Sequence, residues 1–231
     1  MKKPKTVKYT KAILSKIDAD YTKALRRIVI MRDTDPQNPR EEWDNLFKIH
    51  SGCPRYLSSD KGAFNPVVDY GKSPDEAKFT DGVCAFPFYA YIHSGMSLSM
   101  SPFGDRWDSG CAGFIYVNKA EFCKEYGLKR FSRKRAYKIA EGEIKTLDQY
   151  VNGEVYGYVE QTRATAEDEW EDGDSCWGYF GTESIPDMLT SAGAYEQGTV
   201  ICEGNDVDVG MARVTMERAV AGETHTKVKA A

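Results

Sequence analysis

Three polar turns carry the residues whose types could do chemistry: His93-Ser94-Gly95, Trp107-Asp108-Ser109-Gly110 and Asp174-Ser175-Cys176-Trp177-Gly178. A histidine near two aspartates can serve as a general acid or base, because imidazole titrates near neutrality and a carboxylate orients it. His93, Asp108 and Asp174 are therefore the candidate catalytic set. The same residues also suit purely structural turns, since Asp and Ser side chains close turns and glycine permits their backbone angles. A Ser-His-Asp hydrolase can be drawn with Ser94 or Ser109, but no GxSxG elbow precedes a helix. A Cys176 nucleophile paired with His93 can be drawn as well, although alternation places Cys176 in a strand where burial is expected. The phosphate-cradling patterns GxxxxGK(S/T) and GxGxxG are absent.

The rest of the composition narrows the chemistry further. Six cysteines in 231 residues are too sparse for a disulfide scaffold, none lies in a CxxC pair, and histidine occurs only at 50, 93 and 225. The cysteines are expected to be reduced and mostly in the core, and neither a metal set nor a cofactor motif is called for. With 41% hydrophobic and 29% charged residues, the chain can build a packed core and is too apolar to be disordered throughout. Membrane-spanning, collagen-like and coiled-coil classes are excluded. The lysine-rich start lacks the apolar stretch of a signal peptide, so a cytoplasmic protein is expected.

The elements that must position these residues follow from periodicity. Ile13, Ile17 and Tyr21 recur at intervals of four, predicting a short helix at the end of a basic arm, residues 1–25. A β-prone run covers Ile28 to Met31. Residues 51–82, rich in Gly, Ser, Pro and Asp, read as a long irregular connection. Strands are predicted over 86–93 and 96–100, joined by a tight turn, and over 113–117. Asn118 caps a helix ending at Gly127, and Ser132 caps a longer one reaching about Val151. Asn152-Gly153 turns the chain into a strand over 154–161, and a last strand, 175–180, closes a hairpin with a long acidic tip. A further helix is predicted near 186–195, and 219–231 reads as a frayed tail.

The net charge of −4 is a cancellation of separated poles. The first 32 residues hold ten basic side chains against two acidic ones, and Glu160 to Asp187 holds nine acidic against one basic. A second basic cluster, including Arg130, Arg133 and Lys134, opens the long helix, where positive charge opposes the helix dipole and so does not serve helix stability. These three are candidate binding residues for phosphates or an acidic protein. In the acidic tip, Glu169, Asp172 and Trp170 are the candidates: carboxylates that imitate a phosphate backbone locally, with an indole as anchor. Solvated surface is the default reading of either cluster.

Four segments, NPREEWDN (38–45), HSGMSLSMSPFGDRWDSGCAGFIYV (93–117), LDQYVNGEVYGYV (147–159) and DSCWGYFG (174–181), occur in this order. They resemble an uncharacterised protein family of bacteriophages and mobile elements with HSG...PFxxxWDSGxxGFIYV and DSCWGxYG motifs. The chain differs by one extra Glu in NPREEWDN and by lacking a histidine-rich segment after it. The resemblance implies a phage or mobile-element origin and carries no established activity.

The expected fold is α+β: a single domain, residues 26–200, with one antiparallel sheet of about five strands and two or three helices on one face, flanked by the basic arm and a carboxy-terminal extension, 201–231. The leading functional expectation is a non-enzymatic accessory protein that binds and modulates a host macromolecule, a protein or protein–nucleic acid complex, in counter-defence. The alternatives are a small-molecule or nucleotide enzyme at His93, Asp108 and Asp174, and a nucleic-acid binder using the basic arm.

Overall fold

The computed structural model describes residues 23–196, 198–204 and 207. Most of the basic arm with its expected helix, and the tail 219–231, lie outside the described residues. The α+β class holds, but the strands do not form one sheet. They divide between two compact units, one made of residues 1–34 with 155–231 and the other of 35–154.

In the first unit, β1 (Arg26–Arg32), β8 (Val155–Thr162), β9 (Glu171–Phe180) and β10 (Thr199–Glu203) make a four-stranded sheet in the order β10-β1-β8-β9. The β1–β10 pair is parallel and the others antiparallel. Period-two alternation puts Ile28 and Ile30 on one face, both fully buried. Helix α3 (Ile185–Ser191) covers that face with Ile185, Met188 and Leu189, the three-and-four spacing of an apolar stripe. Pro186 suits the first turn, where its missing N–H costs nothing. The expected extension begins inside this core: Ile201 on β10 is 1% exposed.

In the second unit, β2 (Lys48–Ser51), β7 (Ser109–Asn118), β5 (Val83–Ile92) and β6 (Met96–Ser99) are ordered β2-β7-β5-β6, all antiparallel. The connection 51–82 is largely irregular as expected, but also holds the two-stranded ladder of β3 (Val67–Asp69) and β4 (Lys78–Phe79). Helix α1 (Lys119–Glu125) starts at Asn118, whose side chain accepts from the Ala120 and Glu121 amides. Helix α2 (Arg133–Val151) starts at Ser132, which accepts from the Arg135 amide. Ala136, Ala140, Ile144 and Leu147 form its buried stripe against Phe86, Phe88 and Leu98 of the sheet. Among the described residues no helix is long and apolar enough to cross a membrane.

The single five-stranded sheet fails for a physical reason. Alternation says which face of a strand is buried and nothing about which strand lies along its edge. The hairpin of β8 and β9 pairs with β1, more than a hundred residues earlier, and not with β7. The hairpin also differs in length: β9 begins at Glu171, so residues expected in the acidic tip stand within the strand.

Candidate functional site

The sheet of the second unit brings His93 to Asp108. Strand β5 ends at Ile92, whose amide donates to the Asp108 carbonyl at 2.8 Å, so the turn after β5 lies beside the segment entering β7. His93 Nδ1 lies 3.0 Å from Asp108 Oδ2. The Tyr91 ring stacks on the imidazole, with centroids 6.3 Å apart and planes 25° apart. Asp105 accepts the backbone N–H groups of Asp108 and Trp107, and these hold its carboxyl below the usual range. The pair is a solvent-facing feature: the His93 side chain is 68% exposed. It can orient an imidazole for proton transfer. Ser109, the hydroxyl drawn as nucleophile, donates instead to the Asp105 carbonyl and closes the turn. Asp174, the third member of the expected set, stands exposed on β9 of the other unit.

Among the described residues β9 is the last strand of its sheet, and Glu171 to Gly178 are exposed at every position. Trp170, expected as an exposed anchor, is half-buried, with the Arg27 and Arg163 guanidinium groups each 4.3 Å from its ring centre. Such contacts are electrostatic attractions to the ring face. Arg27 Nε also donates to Gln161 at 2.7 Å, and Gln161 Nε2 donates to Asp172 at 2.6 Å, tying three strands together. Asp168 accepts from the Thr165 amide and hydroxyl, so it closes the loop. Glu169, Glu171 and Asp174 are exposed carboxylates, and the exposed indole of this strand is Trp177, at 42%.

Trp177 lies over Gly157 of β8, where an added Cβ would come within 2.4 Å of the indole and 2.6 Å of the Cys176 carbonyl oxygen. Gly157→Ala should therefore displace Trp177 and cost about 1–3 kcal/mol, the usual range for overpacking. Tryptophan fluorescence and urea denaturation of the variant measure both effects. An unshifted spectrum with unchanged stability would contradict the packing described.

In the basic cluster, Arg133 is exposed like its neighbours but also makes contacts within the fold. It donates to Cys84 Sγ at 3.3 Å and lies 4.5 Å from the centre of the Phe86 ring. Arg130 and Lys134 are exposed. Arg133 lines an open cleft of about 430 Å3 with Lys119, Phe79, Phe131 and Cys84. Burial pushes the Cys84 thiol up, which weakens it as a nucleophile. The cysteines are less buried than expected: Cys84 alone is fully buried, while Cys111 and Cys176 are exposed. Cys176 is exposed on β9, and the Tyr179 hydroxyl donates to its sulfur at 3.7 Å.

One cluster had no counterpart among the expected sites. Arg40, from the NPREEWDN segment, donates through Nε to Asp60 Oδ1 at 3.2 Å, through Nη2 to Asp60 Oδ2, and through Nη1 to Glu143 Oε2 at 2.5 Å. It also donates to the Phe47 carbonyl. The Arg40, Asp60 and Glu143 side chains are only 8%, 4% and 17% exposed. Burial raises the Glu143 carboxyl, and the Arg40 charge only partly offsets it. The sequence signal was an arginine between two turn-forming prolines and acids, which reads as surface until Asp60 and Glu143 are brought to it. Among the described residues no group of three or more His, Cys, Asp or Glu side chains could hold a metal ion.

Comparison with protein-family models, with curated proteins and with solved structures gives no match.

Proposed function

We propose that the protein is a non-enzymatic accessory protein of a bacteriophage or mobile element that binds a basic host macromolecule on the β9 edge and modulates it, as a counter-defence protein would. The observation that carries this reading is the exposure of all eight residues from Glu171 to Gly178 on a terminal strand. Glu171, Asp172 and Asp174 give that edge a negative field, and Trp177 supplies the large aromatic surface that commonly anchors an interface. An edge strand also offers backbone donors and acceptors to an incoming segment. The phage assignment rests on the four ordered sequence segments.

The test compares wild type with Glu171→Lys/Asp172→Lys/Asp174→Lys as bait in bacterial lysate. One partner retained in stoichiometric amount, released by high salt and bound at least about a hundredfold more weakly by the variant, is expected from reversing three charges at one interface. Equal retention by both baits would mean that these charges only guard the edge against self-pairing, and would overturn the proposal.

A second reading, a small-molecule or nucleotide site, draws on the 3.0 Å contact of His93 and Asp108. It requires that His93→Asn abolish any turnover, and turnover unchanged in His93→Asn would overturn it.

A further inference from the structure

The NPREEWDN segment plays no part in the binding edge, yet it builds one wall of a second cleft. Arg40, Trp43 and Asn45 on one side, and Gly142, Glu143 and Thr146 of α2 on the other, line a cavity of about 240 Å3. That is smaller than the roughly 300–1,000 Å3 of drug-sized sites, so it suits a ligand of a few heavy atoms or the tip of one side chain.

Its charge is set by the buried ion cluster. Arg40 faces two carboxylates, and four of its N–H groups are committed: two to Asp60, one to Glu143 and one to the Phe47 carbonyl. The guanidinium therefore has little left for an incoming anion. Two carboxylates share this one guanidinium, and Glu143 is the carboxylate that lines the cleft beside it. Burial and the Asp60 charge both work against ionised Glu143, while the Arg40 and Lys48 charges favour it. A cation in the cleft would supply what these two do not.

Gly142 points the same way. Glycine is the poorest helix former after proline, yet it stands in the interior of a nineteen-residue helix. A Cβ there would meet nothing within 4 Å, and the backbone does not need a positive φ. Among the described residues no packing calls for the glycine, and its lack of a side chain leaves space in the cleft it lines. The Trp43 indole, 41% exposed, forms part of the wall, and the face of an indole attracts cations.

We propose that this cleft binds an alkylammonium group, with Glu143 as its counter-ion and Trp43 as its aromatic wall. A free small amine and the lysine side chain of a protein both present this chemistry. The cleft shares no residue with the β9 edge, and the two tests use different variants and different readouts.

The test is a titration of the full chain with n-butylammonium chloride, followed through the Gly142 amide and Trp43 indole N–H resonances. n-Butanol serves as the uncharged match and sodium chloride as the ionic-strength control. Saturable shifts with n-butylammonium alone are expected, weakened at least about tenfold, or 1.4 kcal/mol, by Glu143→Gln. Because that change also disturbs Arg40, Gly142→Leu provides a second variant: it fills the cleft, leaves the ion cluster intact, and should abolish the shifts. A third titrant, Nα-acetyl-lysinamide, separates the sources. Binding at least as tight as n-butylammonium supports a lysine side chain, and weaker binding supports a free amine. No saturable shift with n-butylammonium, an equal response to n-butanol, or wild-type binding by a folded Gly142→Leu would each overturn the proposal.

Discussion

Gly113→Ala should abolish or severely weaken folding of the 35–154 unit, at a cost of about 4 kcal/mol or more, the upper end of what single substitutions do. The residue has φ +154, a region open to glycine and closed to L side chains. A Cβ built there would stand 2.2 Å from the His50 carbonyl oxygen and 3.0 Å from both Ser51 Cα and Phe88 Cε1. The nearest obstacle is backbone, so no rotamer change relieves it. Gly113 follows the irregularity in the β5–β7 ladder, where Phe88 pairs with Gly113 and Tyr89 with Cys111, leaving Ala112 as the extra residue. It is also the residue opposite Ser51 in the β2–β7 pair. Yielding there means releasing β2, which carries the fully buried Ile49. Chemical denaturation measures the loss, and hydrogen exchange at the β2 amides locates it. A loss below about 1 kcal/mol, within the range of ordinary substitutions, would contradict this account.

Asp60→Ala should be nearly as damaging, at about 3–5 kcal/mol, because removing one partner of a buried ion pair leaves the other uncompensated. Arg40 loses its two-pronged acceptor and keeps only Glu143 and the Phe47 carbonyl. The Ile49 amide, which donates to Asp60 Oδ2 at 2.8 Å, loses its acceptor too. The comparison that isolates the charge effect is the triple variant Arg40→Met/Asp60→Leu/Glu143→Met. Replacing a whole buried ion cluster by apolar groups of similar volume is often close to neutral. The triple variant should therefore be more stable than Asp60→Ala alone, short of wild type by about 1–3 kcal/mol for the orphaned Ile49 amide. Denaturation midpoints of the two variants decide the matter. A triple variant less stable than the single one would show that the cluster contributes net stability and not merely a fixed geometry.

Each prediction involves a residue inside a quoted sequence motif that was assigned no role there, although Asp60 itself lies in the irregular connection 51–82. Gly113 belongs to the HSG...GFIYV segment and Arg40 to NPREEWDN. A local pattern locates a glycine but does not say that a neighbouring strand's carbonyl will stand 2.2 Å from its absent Cβ. Likewise, nothing in the spacing of residues 40, 60 and 143 marks them as one cluster. By contrast, the caps at Asn118 and Ser132, the helix stripe from Ala136 to Leu147 and the turn at Asn152-Gly153 were all legible, because each depends on neighbours within a few residues. The candidate site was legible only in part. His93 and Asp108 could be grouped because one tight turn and one ladder separate them, while Asp174 belongs to a strand whose ladder partner is β8.

The sequence by itself determined the α+β class of this protein, the helix caps at Asn118 and Ser132, the buried alternation of β1 and the separation of its charged poles. These follow from backbone propensity, period and composition, which act over short range. Only the tertiary structure decided that the strands form two sheets, that β9 is an edge with its carboxylates exposed, that Trp170 lies against two arginines, and that Arg40 is buried between Asp60 and Glu143. The physical reason is the same in each case. Edge pairing, burial of charge and cation–aromatic contact depend on which distant segments meet, and a choice between partners of similar local pattern is made by the packing of the whole unit.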